Sequence, residues 1–197
     1  MKPLFLSIRL FCLLLLTLLV TACAHSINVS PLSSPPRNEA TLVNKHVAYV
    51  MTDELRNKIV TTSGGGGDKV SYSPYRDLEK VIRDSLRAVY QEVTVINSIS
   101  EAKANPDGNI ALVFTPEIST TSSSDSMLTW PPTQFFINLE CTTTDLEGKP
   151  VAKFRLSGNG AAEFSEFKSD FGLAGRRAAT DLGSKIVQEI FSNPSLQ

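Results

Sequence analysis

An apolar run near the start most constrains what this chain can fold into: Leu10-Phe11-Cys12-Leu13-Leu14-Leu15-Leu16-Thr17-Leu18-Leu19-Val20, preceded by Lys2 and Arg9. A helix needs about 20 apolar residues to cross a bilayer, and this run is too short. A basic start ahead of a brief apolar stretch is the composition of an export signal, removed once the chain has crossed the membrane. The fold must then be built from the residues beyond it. The alternative, an uncleaved anchor helix from Leu4 to Ala22 that tolerates Arg9, leaves the rest of the chain in the same compartment.

After the run comes Val20-Thr21-Ala22-Cys23. This resembles the lipobox of bacterial lipoproteins, in which small residues precede a cysteine that is acylated and becomes the mature N-terminus. The resemblance covers the first 23 residues. It implies a signal peptide over 1–22, a palmitate-bearing Cys23, and attachment by acyl chains that is effectively permanent, since each buried CH₂ contributes about 0.8 kcal/mol. Ala24 stands after the cysteine where inner-membrane retention would call for Asp, so the resemblance further implies the outer membrane, with the rest of the chain facing the periplasm.

Loss of Lys2 and Arg9 with the signal takes the net charge from −1 to −3. That balance carries no footprint for nucleic acid and no polybasic membrane patch. Of three cysteines, Cys12 leaves with the signal and Cys23 takes the lipid; Cys141 alone remains, which excludes an intramolecular disulfide.

From Ala24 to Asn44 the chain is rich in Ser and Pro, with no sustained apolar period. We read residues 23–44 as the lipidated cysteine and a flexible tether, which at about 3.3 Å per residue reaches on the order of 65 Å. Residues 45–197 form a single domain. His46–Met51 reads as its first strand. The four-glycine stretch Gly64–Gly67 lacks the Gly-Lys-Ser/Thr of a phosphate-binding loop and reads as a surface loop.

From Pro74 to Val89, Leu78, Val81, Ile82, Leu86 and Val89 form one stripe of a helix begun by Ser73-Pro74. Val93–Ile96 and Ile110–Phe114 read as strands, the second buried on both faces. The polar stretch Ser119–Ser126, closed by Trp130-Pro131-Pro132, reads as a long hairpin connection. Beyond it Phe135, Ile137, Leu139 and Cys141, then Ala152, Phe154 and Leu156, alternate with polar residues, as half-buried antiparallel strands do. A last helix spans Phe171 to Phe191 and stops at Asn193-Pro194. The expected fold is therefore α+β: a small antiparallel-rich sheet in the order β-α-β-β-β-β-α, with two helices packed on one face.

Candidates for chemistry are few. His25 adjoins the anchor, and His46 has no nucleophile motif beside it. Two separated histidines and one cysteine make no metal pattern. Cys141 belongs to the apolar face of its strand, where a thiol packs as a small hydrophobe. Glu163, Glu166 and Asp170, interleaved with Phe164, Phe167 and Phe171, lie where two carboxylates would do acid–base work on a glycan, but nothing fixes their separation. Arg176 and Arg177, opening the last helix, are placed to pair with an acidic partner or with this nearby acidic connection. No cofactor, metal or catalytic residue is expected. The candidate partner contact is Trp130 with Pro131 and Pro132, because a lone aromatic in a proline-stiffened loop loses little entropy on binding.

The order of elements loosely resembles YajG-type envelope lipoproteins and the auxiliary lipoproteins of transport machines. That resemblance implies a non-catalytic accessory role on an envelope protein partner. A carrier or sensor of a small lipid or glycan is the alternative, and a cell-wall enzyme the third.

Overall fold

The computed structural model describes residues 24–63, 69–104, 108–124 and 133–197. The signal segment, Cys23, the four-glycine loop and Trp130-Pro131-Pro132 lie outside these described residues.

The main sheet has five strands. β2 (Val43–Val50) runs parallel to β5 (Tyr90–Ile96) on one side and to β6 (Ile110–Ser123) on the other, while β6, β7 (Gln134–Thr144) and β8 (Pro150–Ala161) form an antiparallel meander. The strand order is β5-β2-β6-β7-β8. One helical turn, α1 (Asp53–Arg56), leaves β2 and is tied by Arg56 to Glu79 at 2.8 Å on the long helix α2 (Pro74–Val89). Counting the five strands with α2 and the second long helix, α5 (Leu173–Ser192), reproduces the expected β-α-β-β-β-β-α order. Both long helices pack on one face: Leu78, Leu86, Leu182, Ile186 and Ile190 share a single core with Val47, Phe114, Phe135, Ile137 and Leu139. On the opposite face the six-residue helix α3 (Ile99–Ala104) covers only the parallel end, over Ala48, Ile96, Ile110 and Val113. Among the described residues, no helix covers the meander there.

β6 corrects one boundary. The Ser/Thr-rich stretch continues the strand to Ser123 instead of interrupting it, because Ser119 to Ser123 pair in register with Asn138 back to Gln134. Backbone pairing to β7 outweighs the low apolar content, and the outward residues remain polar.

A second sheet, absent from the expectation, has the order β1-β4-β3, built from β1 (Ala24–Ser26), β3 (Val60–Ser63) and β4 (Lys69–Tyr72). It overturns the flexible tether at 23–44. β1 pairs parallel with β4, Ala24 opposite Lys69 and His25 opposite Val70. Ile27 and Val29 then enter the main core, Val29 with no exposed surface. Beyond them Leu32 N–H donates to Thr180 Oγ1, Ser34 to Asp84, and Arg37 to the carbonyls of Arg87 and Tyr90. The segment is a strap across α2 and α5. Two apolar side chains at i and i+2 and a row of hydrogen bonds offset the entropy of ordering it.

Candidate functional site

The open face of the meander holds a solvent-open groove of about 710 Å³. Strand alternation builds it. On β7 the odd-numbered residues from Phe135 to Thr143 face the helices, so Asn138 and Glu140 face outward. Register brings Glu117, Glu140 and Arg155 into one row and Ser119, Asn138 and Ser157 into the next. At one side the groove turns over the edge of β6. That strand has parted from β2 after Phe114, and the Ile118 N–H donates instead to Tyr75 Oη at 3.1 Å. Lys58 Nζ lies 5.7 Å from the centre of the Tyr75 ring.

The middle of the groove is charged but internally paired. Glu140 receives both Arg155 and Lys153, and these partners hold its carboxyl down at about 2. Pairing relieves the repulsion of Glu117 directly across the strand. Hydroxyls, an amide, paired ions and the edges of Tyr75, Ile118 and Leu156 suit a hydrogen-bonding ligand such as a glycan or an extended peptide. No nucleophile–base pair is among the groove residues. Between sheet and helices, Phe114, Phe135, Leu182 and Ile190 are buried within one continuous apolar core.

The residues singled out for chemistry are engaged in structure. His46 lies within β2: Nδ1–H donates to the Gly108 carbonyl and Nε2 is hydrogen-bonded to Thr94 Oγ1 at 2.8 Å, which engages both ring nitrogens. Cys141 is buried in the core, and desolvation pushes its thiol up to about 12. The acidic cluster is tied down as the arginine pairing anticipated. Glu163 and Glu166 form a reciprocal capping box at the start of α4 (Phe164–Phe167), Arg177 holds Glu166 in a two-pronged pair at 2.6 and 2.8 Å, and Arg176 binds Asp170 at 3.0 Å. The Arg177 guanidinium, with the Glu163 N–H, keeps the Glu166 carboxyl at about 2. A carboxylate so held is a poor general acid.

Sequence reasoning missed the groove. Glu117, Glu140 and Arg155 lie far apart in the chain and meet only through strand register. The alternation on β7 and β8 marked their face as outward, which was the available signal. Cys23 and Trp130-Pro131-Pro132 are not among the described residues, although Ser124 and Thr133 bracket the latter at the joined ends of β6 and β7. Among the described residues, no His/Cys/Asp/Glu group is disposed to hold a metal ion and no helix is long and apolar enough to cross a membrane.

Comparison with known proteins found no matching family model and no matching curated sequence. Three solved structures are similar in part. A protein of the DUF330 family from Xanthomonas campestris is 12% identical with a TM-score of 0.46, covering 85% of this chain and 92% of its own. A PelC variant from Paraburkholderia phytofirmans, solved as a dodecamer, is 13% identical with a TM-score of 0.41, covering 79% and 91%. A candidate lipoprotein from Caulobacter crescentus is 14% identical with a TM-score of 0.33, covering 66% and 83%.

Proposed function

We propose that this chain is a non-catalytic accessory lipoprotein of the bacterial cell envelope, acylated at Cys23, held on the outer membrane with its domain facing the periplasm, and acting by binding a protein partner. The observation that carries this reading is the junction at residues 23 and 24. A lipobox-like segment ends where the folded domain begins, so the signal adjoins the domain without intervening chain. The partner role draws on the open meander face and on Trp130 with Pro131 and Pro132, whose loop leaves that sheet between β6 and β7.

The test has two parts. Cells fed labelled palmitate should incorporate it into the wild-type chain and not into Cys23→Ser, which should also leave the membrane fraction; persistent membrane attachment without label would instead make Leu4–Ala22 an uncleaved anchor. Crosslinking in intact cells, with subsequent purification, should recover one envelope protein with the wild type. Recovery should fall with Trp130→Ala or with Glu140→Lys/Arg155→Glu. Equal recovery with all of these chains would remove the partner reading.

A second reading, capture of a small envelope ligand, is favoured by the groove itself. Its polar, ion-paired lining fits a glycan fragment and disfavours a lipid tail. Saturable binding of cell-wall oligosaccharides, lost with Asn138→Ala/Ser157→Ala, would support it.

A further inference from the structure

The ordered strap fixes how the domain meets the membrane. Consecutive Cα atoms are about 3.8 Å apart, so an acylated Cys23 keeps Ala24, the first residue of β1, at the bilayer surface. Strand register identifies what lies around it. Ala24 is opposite Lys69, and Lys69 is opposite Ser63. Next to Ser63, Thr62 hydrogen-bonds Ser122, and Ser123 is opposite Gln134, which is opposite Ala161. Three residues after Ala161 comes Phe164, and α4 leads through Phe171 into Gly172, packed so closely on the Asn28 carbonyl that a Cβ there would meet it at 2.2 Å. One end of the domain thus gathers the start of β1, the ends of β6 and β8, and α4.

Two aromatic side chains are exposed at this end, Phe164 at 52% and Phe171 at 44%. Lys168 lies 4.8 Å over the Phe164 ring, and Lys69 is exposed beside Ala24. Of the acidic residues described here, Arg177 pairs Glu166 and Arg176 pairs Asp170, while the exposed Glu163 is held in the α4 capping box. Exposed aromatics flanked by lysines suit the headgroup boundary of a bilayer, where a ring is buried while an ammonium meets phosphate. We propose that this end of the domain rests on the phospholipid surface, with Phe164 and Phe171 entering the headgroup layer, so that the domain is held in one orientation and not merely leashed. The proposal rests on the reading of Cys23 as the lipid anchor, and the occupant of the patch is the leaflet that anchor occupies.

The mature acylated chain, reconstituted into vesicles of phosphatidylethanolamine with one quarter phosphatidylglycerol, tests it. Spin labels are placed at Ser165→Cys, beside Phe164, and at Glu147→Cys, in the β7–β8 turn at the other end; the buried Cys141 thiol stays unlabelled. The Ser165 label should collide with oxygen several-fold more than with a water-soluble nickel chelate, and the Glu147 label should do the reverse. Phe164→Ser/Phe171→Ser should return the Ser165 label to water while the chain stays on the vesicle through its lipid. Phe191→Ser, which removes one exposed ring at the far end of α5, should change nothing. Equal exposure of both labels to the chelate, or indifference to the double substitution, would overturn the proposal while leaving the anchor intact. Mass analysis of the same sample reads the anchor separately. Absence of an acyl chain there would overturn the reading of Cys23 as the anchor, whatever the labels report.

Discussion

At the scale of single residues, Asp77 holds the N-terminal strap. Its carboxylate accepts from the Val29 N–H at 3.2 Å and from Asn28 Nδ2 at 3.4 Å, with Val29 fully buried. Asp77→Ala leaves that buried N–H without an acceptor, a loss of about 1–3 kcal/mol in urea unfolding. Burial, the largest influence, raises the Asp77 carboxyl above its ordinary 3.8, with the Val29 N–H and then Arg76 pulling it partly back. A raised folded value means that the native state binds the proton more tightly than the unfolded chain. The associated stability is therefore present below 3.8 and is lost as pH rises through the folded value. Asp77→Asn keeps an acceptor for Val29 and lacks that loss, so its stability relative to wild type should improve as pH rises from about 3 to 7. A flat difference across this range would show that Asp77 titrates alike in the folded and unfolded chains. Cys141 gives a simpler expectation: with its thiol pushed up to about 12 and buried, it should resist thiol reagents at about pH 8 in the native protein and react at once in denaturant.

At the scale of elements, α5 lies on β8 more closely than side chains ordinarily allow. A Cβ on Gly160 would stand 2.0 Å from the Ala174 carbonyl oxygen, and one on Gly158 would stand 2.3 Å from that of Ala178. Helix backbone cannot yield as a flexible side chain can, so Gly160→Ala must lift the helix off the strand, at a cost of about 3 kcal/mol. Gly148→Ala, in the β7–β8 turn, meets nothing within 4 Å and is strained only by its φ of +88°, which costs about 1 kcal/mol. Urea unfolding of the two variants should rank them in that order; the reverse ranking would mean that α5 settles on β8 without needing the glycines. The two glycines of β8 were not legible in the sequence as a helix seat, because the partner residues Ala174 and Ala178 become neighbours only on folding. The long elements were legible through period: α2 by its apolar stripe, β7 by alternation. β1, β3 and β4 are three or four residues each, too short to establish a period, and the parallel partner of β1 lies more than 40 residues away. One signal was present in the strap, Ile27 and Val29 spaced two apart, and the Ser and Pro around them masked it.

At the scale of the whole molecule, the lipid proposed for Cys23 would make the strap the element that sets how far the domain stands from the membrane. A free tether of about 20 residues would allow a gap on the order of 65 Å when extended. With the strap folded, the gap closes to the length of a residue or two, and α2 and α5 lose solvent contact along the line that the strap covers. A compact body of about 170 residues has a radius of gyration near 16 Å and hence a diameter of roughly 40 Å. Neutron reflectometry of the acylated protein on a supported bilayer should therefore find one protein layer of about 40 Å directly against the headgroups. A Gly-Ser spacer of about 20 residues inserted between Cys23 and Ala24 should add a dilute water-rich zone of roughly 25 Å beneath it. The variant Ile27→Ser/Val29→Ser acts differently, since it removes the two side chains that fix the strap in the core. It should both lower stability and thicken the layer toward the tether limit, so the two effects arise together from one cause. A dilute zone already present in the wild type would mean that the strap leaves the domain at a membrane surface, and the reach of the domain to its partner would then be that of a leash.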